Sequence, residues 1–438
     1  MPGHFIRAAL ARFIRTFANR AASLLLVVIF TALPSVAAQA NPLTLAEAWA
    51  LADQANPDLR AAQADLSAAR GQLKDAQGLL WNNPQVATDL TRRTLSQPGL
   101  PGQAFGEWNV GLSQTFELAG QHGYRREAAE LELDATSERI AELRRQLHAI
   151  VEQRFTRVLA LQKRIEVERD ALKLIQDAAT AVKKRVGAGE DSRLDGNLAS
   201  VEAERARNQV TQLGEQLVQA RVELAAIVQL PPNDLPEAVG DLLPIPPAYT
   251  LRDLLDGVAN RPLFRALDLR ERAARSKLSL QRASAYPDIT VGLTTGREGP
   301  GDARENLTML SVSIPLPLFK RNASGVGQAS ADLTQAQIEK QAASRDVEAQ
   351  VRATWQRLES LQARIGRLTE SVLPSLEENQ RLSTVSFRGG ELGLLQLLLV
   401  NRQLLDGRRD YYDAVADLHL TRIALEEAAG FVPKDKSR

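Results

Sequence analysis

Cysteine is absent from all 438 residues. That excludes disulfides, thiol nucleophiles, thiolate metal sites and lipid attachment at a cysteine. Methionine occurs twice and histidine four times. Only Met309 follows Met1, and His4, His122, His148 and His419 are scattered, so no cluster suits a soft or borderline metal ion. Lone histidines of this kind are expected to be packed or surface side chains. No HExxH, GxSxG or phosphate-cradling loop occurs, so neither an enzyme nor a cofactor site is expected. Aromatic residues make up 5%, too few for ordinary compact cores, whereas Ala, Leu, Gln, Glu and Arg abound and favour long helices. No basic stripe with interleaved aromatics exists, which argues against nucleic acid as a partner. Beyond residue 40, no apolar run reaches the length of a transmembrane helix. Any passage through a membrane must therefore be made by strands.

The first forty residues read as a secretory signal peptide. Arg7, Arg12, Arg15 and Arg20 form a basic region, Ala21 to Leu33 an apolar run too short to span a bilayer, and Ala38-Gln39-Ala40 a small-x-small site. Cleavage is expected after Ala40; the alternative is an uncleaved anchor. Losing four arginines would take the formal net charge from +1 to −3.

What remains is written twice. The first repeat spans 41–236, a Pro-rich linker 237–248, the second repeat 249–430, and a polar tail 431–438. Each repeat opens on a helix start, with Thr44 and Thr250 as N-cap candidates. Each then breaks at Trp81-Asn82-Asn83-Pro84 or Ala285-Tyr286-Pro287 and continues into period-two segments. Strands are expected near 85–93 and 108–118 in the first repeat, and near 288–296 and 307–318 in the second. In the third of those ranges' partner, SVSIPLPLF, Pro315 and Pro317 donate nothing to a ladder and should mark where a strand turns into a helix. Residues 124–184 contain neither Pro nor Gly. In the second repeat Leu397, Leu404, Tyr411, Leu418 and Leu425 recur every seventh residue, a coiled-coil-like seam. One glycine turn breaks each long helical stretch, RVGAGEDSRLD at 185–195 and SFRGGELGLLQ at 386–396.

On faces alone the strands suit either a soluble sheet or a membrane barrel. In lipid, strands must close, because unpaired backbone groups find no water. Four strands cannot close; two chains supply eight and three supply twelve. The helical stretches look paired with one another, which leaves no helix to cover a soluble sheet.

The order of these features resembles the TolC family of outer-membrane efflux proteins over residues 43–430, and AYPDITVGLTTG with LSVSIPLPLFKRN looks most like the heavy-metal members of the CzcC type. The resemblance implies a mainly α fold with a small β part. Two tandem repeats of long helical hairpins would each give two strands to an oligomeric transmembrane β-barrel, continued by a periplasmic α-helical tunnel. It implies a homotrimer in the outer membrane, working with a periplasmic adaptor (membrane fusion) protein and an inner-membrane efflux pump. The activity implied is passive export, of heavy-metal cations or otherwise of drugs or a secreted polypeptide. A rival of another class is a periplasmic adaptor or coiled-coil scaffold. By position, the adaptor-docking tips would be Arg185, Val186, Gly187, Ala188 and Gly189, with Phe387, Arg388, Gly389 and Gly390. The acidic tunnel rings of the family would fall at Gln396 and Leu399, which are not acidic here. Glu190, Asp191 and Asp195 are the acidic gate candidates of the first repeat. Two gates are thus open: an acidic ring at Asp195, or a bore narrowed by the leucines of 394–399.

Overall fold

The structure, a computed structural model, describes residues 42–96, 98, 102–244 and 249–431. Cleavage after Ala40 and the segment 432–438 lie outside the described residues. Within Ala40–Arg438 the chain order is β1 (Pro42–Leu43), α1 (Leu45–Ala55), α2 (Pro57–Ala76), β2 (Gln85–Leu95), β3 (Gln103–Phe116), α3 (Gln121–Gly187) and α4 (Arg193–Ile227). The second half follows with β4 (Glu237–Ala238), α5 (Leu251–Val258), α6 (Pro262–Ala283), β5 (Ile289–Glu298), β6 (Glu305–Ser313), α7 (Ala323–Arg367), α8 (Leu373–Arg388) and α9 (Leu394–Ala429).

Both halves begin in the same way. Thr44 and Glu47 form a capping box on α1, and Thr250 and Asp253 form one on α5. Each box satisfies two backbone donors that a helix start leaves free. A proline then starts the next helix, Pro57 for α2 and Pro262 for α6, where its missing N–H costs nothing. The strand bounds differ from those read by alternation. β2 reaches Leu95, β3 starts at Gln103, and β5 runs one residue later at its start than expected. β6 covers Glu305–Ser313 rather than 307–318: the alternation continues past it, but the prolines end the ladder. Two assigned boundaries also shift. Glu237-Ala238, expected as linker, pairs in parallel with Pro42-Leu43. Phe431, expected as tail, packs its ring at 59° against that of Tyr249, with centroids 4.7 Å apart.

The four long strands form one antiparallel sheet in the order β2-β3-β5-β6, so each repeat contributes a hairpin and β2 and β6 are its two edges. Register places Val86, Leu112, Leu293 and Leu310 side by side on one face, all exposed. The adjoining row on the other face is Ala87, Gly111, Thr294 and Met309. The first row is aliphatic throughout, whereas the opposite row mixes small residues with Met309.

α3 has 67 residues, about 100 Å at helical rise. It leads from the sheet to the first glycine turn and returns as α4. In the second half α7 and α8 are one helix interrupted by a π turn, Leu368–Val372, which ends two residues before Pro374. Proline lacks an N–H and crowds the carbonyl four residues back, and the wider turn accommodates both effects. α9 returns, burying Leu397, Leu404, Ala414, Leu418, Leu425 and Ala428 along its seam. Three apolar clusters result: one around Val151, Phe155 and Leu224, one around Leu358, Leu418 and Leu425, and one at the glycine turns.

Two buried carboxylates join the halves. Glu142 of α3 accepts two hydrogen bonds from Arg261, at 3.0 and 2.6 Å, and Arg145 holds it from its own helix. Burial alone would raise its pKa, but these guanidinium hydrogen bonds bring it down to about 2. Further along α3, Glu168 takes a bidentate grip from Arg409 of α9, at 2.6 and 2.7 Å, and Arg164 joins it. Its pKa is also lowered, the Arg409 and Arg164 interactions outweighing burial.

Candidate functional site

The two glycine turns are built alike. After α3, the Glu190 N–H bonds the Arg185 carbonyl at 2.9 Å and the Gly189 N–H bonds Val186 at 3.1 Å. After α8, the Glu391 N–H bonds Ser386 at 3.0 Å and the Gly390 N–H bonds Phe387 at 3.1 Å. Each closes a helix end through a residue in the left-handed region, Gly189 and Gly390 both at φ +79°. A side chain is strained there, so glycine fits the turn. The correspondence places Gly189 opposite Gly390, Asp195 opposite Gln396 and Leu198 opposite Leu399.

The turns differ in how the return helix starts. Ser192 caps α4, its Oγ 2.6 Å from Asp195 Oδ2, and the Asp195 N–H bonds Ser192 Oγ in return. Asp195 is thus engaged in a cap and only half-buried. α9 starts at Gly393 with no side-chain cap.

The structure brings the two tips together. Val182 and Ala199 of the first hairpin pack with Phe387, Leu394 and Leu397 of the second, and Val186 and Leu392 flank them. Arg185 lies across this joint. Its Nη2 is 3.1 Å from Asp191 Oδ1, its Nε 3.6 Å from Glu190 Oε2, and its guanidinium 5.2 Å from the Phe387 ring centre. A cation over a ring is attracted to the ring's negative face. Of the docking candidates, Arg185, Val186 and Phe387 therefore take part in the joint. Gly187, Ala188, Gly189, Arg388, Gly389 and Gly390 form the outer turns, and all six are exposed.

The gate candidates are not gathered in one place. Glu190 and Asp191 pair with Arg185, Asp195 caps α4, and Gln396 and Leu399 are exposed. Leu394 and Leu397 face the joint, whereas Leu395 is 70% and Leu399 56% exposed. A groove of about 350 Å³ beside them runs between α4 and α9, lined by Leu198, Glu202, Arg205, Leu395, Leu399 and Arg402 among others. The reading from sequence missed the joint itself, the Ser192 cap and the Glu168–Arg409 grip. The first two had signals: Ser-x-x-Asp is a capping pattern, and Val182 with Leu394 and Leu397 follows helical spacing. The third had none, since its partners lie far apart in the chain.

The histidines have local duties. His148 Nε2 lies 3.0 Å from Asp53 Oδ1 and its ring stacks on Trp49, His122 contacts the Gly78 carbonyl at 3.0 Å, and His419 the Leu243 carbonyl at 3.0 Å. Among the described residues no group of His, Cys, Asp or Glu could hold a metal ion, and no helix is long and apolar enough to cross a membrane.

Comparison with known proteins matches this architecture. The family model described as outer membrane efflux protein matches residues 49–228 and 256–431, one stretch in each repeat. The cobalt-zinc-cadmium resistance protein CzcC of Cupriavidus metallidurans is 27% identical over 399 residues, covering 89% of this chain and 91% of that protein. The nickel-cobalt-cadmium resistance protein NccC of Alcaligenes xylosoxydans xylosoxydans is 25% identical over 308 residues, 68% of this chain and 66% of that one. Among solved structures, the outer membrane protein VceC of Vibrio cholerae superimposes with a TM-score of 0.75 at 20% identity, covering 88% of this chain and 96% of that one.

Proposed function

This chain belongs to the outer membrane efflux protein family, and from that premise we propose that it is the passive outer-membrane duct of a three-part export system. Three copies together close a twelve-stranded barrel, and their helical hairpins continue it through the periplasm as a tunnel. The observation that carries this reading is the open four-stranded sheet with exposed apolar side chains on one face and two free edges. In lipid such edges must be paired, and copies of the same chain supply the partners. A coiled-coil scaffold or periplasmic adaptor has no use for a lipid-facing strand row, so the duct is preferred.

No residue acts as a catalyst. An inner-membrane pump supplies the energy, an adaptor meets the glycine turns, and the tips part to let cargo through. The names of CzcC and NccC support heavy-metal cations as that cargo. Selection among ions then belongs to the partners, because the chain has no cysteine and no group of His, Asp or Glu among the described residues could hold a metal ion. The closed state is held by the tip joint, with Arg185 across it. Leu395 and Leu399 are the apolar side chains placed to narrow a bore and exclude water.

The test is cargo release from cells that lack this chain. Cells loaded with cadmium should retain it and should release it when the chain is restored. Restored release of a lipophilic drug without cadmium would change the cargo. Release of neither, with the protein present in the outer membrane, would end the reading.

A further inference from the structure

The four places where strand meets helix share one property, and it rests on the duct reading above. Each exposes a large apolar side chain: Leu79 before β2, Leu118 after β3, Tyr286 before β5, and Leu316, Leu318 and Phe319 after β6. Leu79 is 92% and Phe319 97% exposed, values that water alone would not favour for such side chains. Beyond β6 the apolar residues continue at every second position from the outward row of the strand, Leu310, Val312, Ile314, Leu316 and Leu318, all exposed. Pro315 and Pro317 end the ladder, and the Leu318 N–H closes a tight turn on the Leu316 carbonyl at 2.9 Å, so the apolar side chains run past the sheet to a bend at Leu318-Phe319. Directly after it come Lys320 and Arg321, both exposed. The Asn322 side chain bonds the Gln281 carbonyl at 2.8 Å, which ties this segment to the end of α6, where Arg282 is also exposed. Among the described residues no ion pair holds Lys320, Arg321 or Arg282; the Arg321 Nε only donates to the Pro317 carbonyl at 3.3 Å. Of the acids at the strand–helix junctions, Asp75 stands exposed at the end of α2, whereas Glu117 and Asp288 are engaged. Glu117 is taken by Arg125 at 2.9 and 2.5 Å, and Asp288 receives the Gln121 side chain at 3.0 Å.

We propose that residues 314–321 are a docking segment for anionic glycerophospholipid of the periplasmic leaflet. Leu316, Leu318 and Phe319 enter the upper acyl region, and Lys320 and Arg321, with Arg282, bond the phosphate. The chemistry is that of an interfacial anchor: an apolar row ending in cations at the depth where acyl chains end in phosphates. It fixes the height of the barrel in the bilayer, so that the helices begin at the water boundary.

The absence of cysteine makes the test direct. Single variants Phe319→Cys, Leu310→Cys and Ile338→Cys carry a nitroxide in vesicles of phosphatidylethanolamine, with and without phosphatidylglycerol. Collision with oxygen reports lipid and collision with a nickel chelate reports water. The label at 319 should favour oxygen and lie just inside the phosphates, the label at 310 deeper, and the label at 338 in water. In the unlabelled protein, phosphatidylglycerol should raise the thermal midpoint of the assembly, and the combined Arg282→Gln, Lys320→Gln and Arg321→Gln variant should lose at least half of that rise. A label at 319 open to the nickel chelate, or shielded from both probes by a neighbouring protomer, overturns the proposal while a lipid-exposed label at 310 leaves the barrel standing. An undiminished phosphatidylglycerol effect in the glutamine variant also overturns it. A label at 310 in water refutes the duct reading itself, and the anchor with it.

Discussion

Replacing Arg185 by alanine should loosen the tips without unfolding the helices. The side chain contacts Asp191 at 3.1 Å, Glu190 at 3.6 Å and the Phe387 ring at 5.2 Å. Glu190 and Asp191 belong to the same turn as Arg185, so these ion pairs orient the guanidinium and persist when the tips part. Only the ring contact crosses to the second hairpin, and it is worth about 0.5 kcal/mol. That favours the joined tips about twofold in each protomer. If three tip pairs part together the effects add to about 1.5 kcal/mol, or roughly tenfold in the open fraction. The assay is conductance of the purified assembly in a planar bilayer. R185A should show frequent or sustained opening, and Arg185→Lys, which keeps the charge but loses the planar fork, should fall between it and the native protein. Native conductance and open time in an intact R185A assembly would refute the locking role of the joint.

Four further outcomes follow from the buried ionisable groups. His419 has its pKa lowered to about 4 by burial, with Arg422 adding to the effect against the Leu243 hydrogen bond. The unfolded chain therefore takes up its proton first as pH falls below 6.5, and up to roughly 3 kcal/mol of stability should vanish between there and pH 4; thermal midpoints of His419→Gln should be flatter across that window. For Glu142 the stabilisation should be complete above its ordinary value of 4.5 and fade as pH falls toward 2. Glu142→Gln, which leaves Arg261 buried beside a neutral amide, should cost about 3 kcal/mol, read as a lower thermal midpoint. A double-mutant cycle with Glu168→Gln and Arg409→Gln should return a coupling of about 2 kcal/mol, and additive effects would show that this grip does not join the halves.

Much of the layout was legible because it follows period and punctuation. The seven-residue recurrence of Leu397, Leu404, Leu418 and Leu425 became the buried seam of α9. Thr44 and Thr250 cap their helices, and the paired glycines reverse the chain at matching positions. Alternation found all four strands but misplaced their ends, because the side-chain period of β6 outlasts its ladder at Pro315. Contacts between distant segments left no trace in local pattern. Glu142 with Arg261 and Glu168 with Arg409 are buried charges that hydropathy marks as surface. The same holds at the tips, where Arg185 reads as a charge beside a turn and becomes the lock only once Phe387 is packed against it.

The central claim is that this chain closes a barrel with its own copies in the outer membrane. The measurement that tests it most directly is the native mass of the protein extracted from the outer-membrane fraction in mild detergent. The duct reading predicts a trimer, whose sheet edges β2 and β6 pair between neighbours. A monomer in the soluble periplasmic fraction would contradict it, leaving the exposed leucines of β2 and β6 to be covered by some other partner.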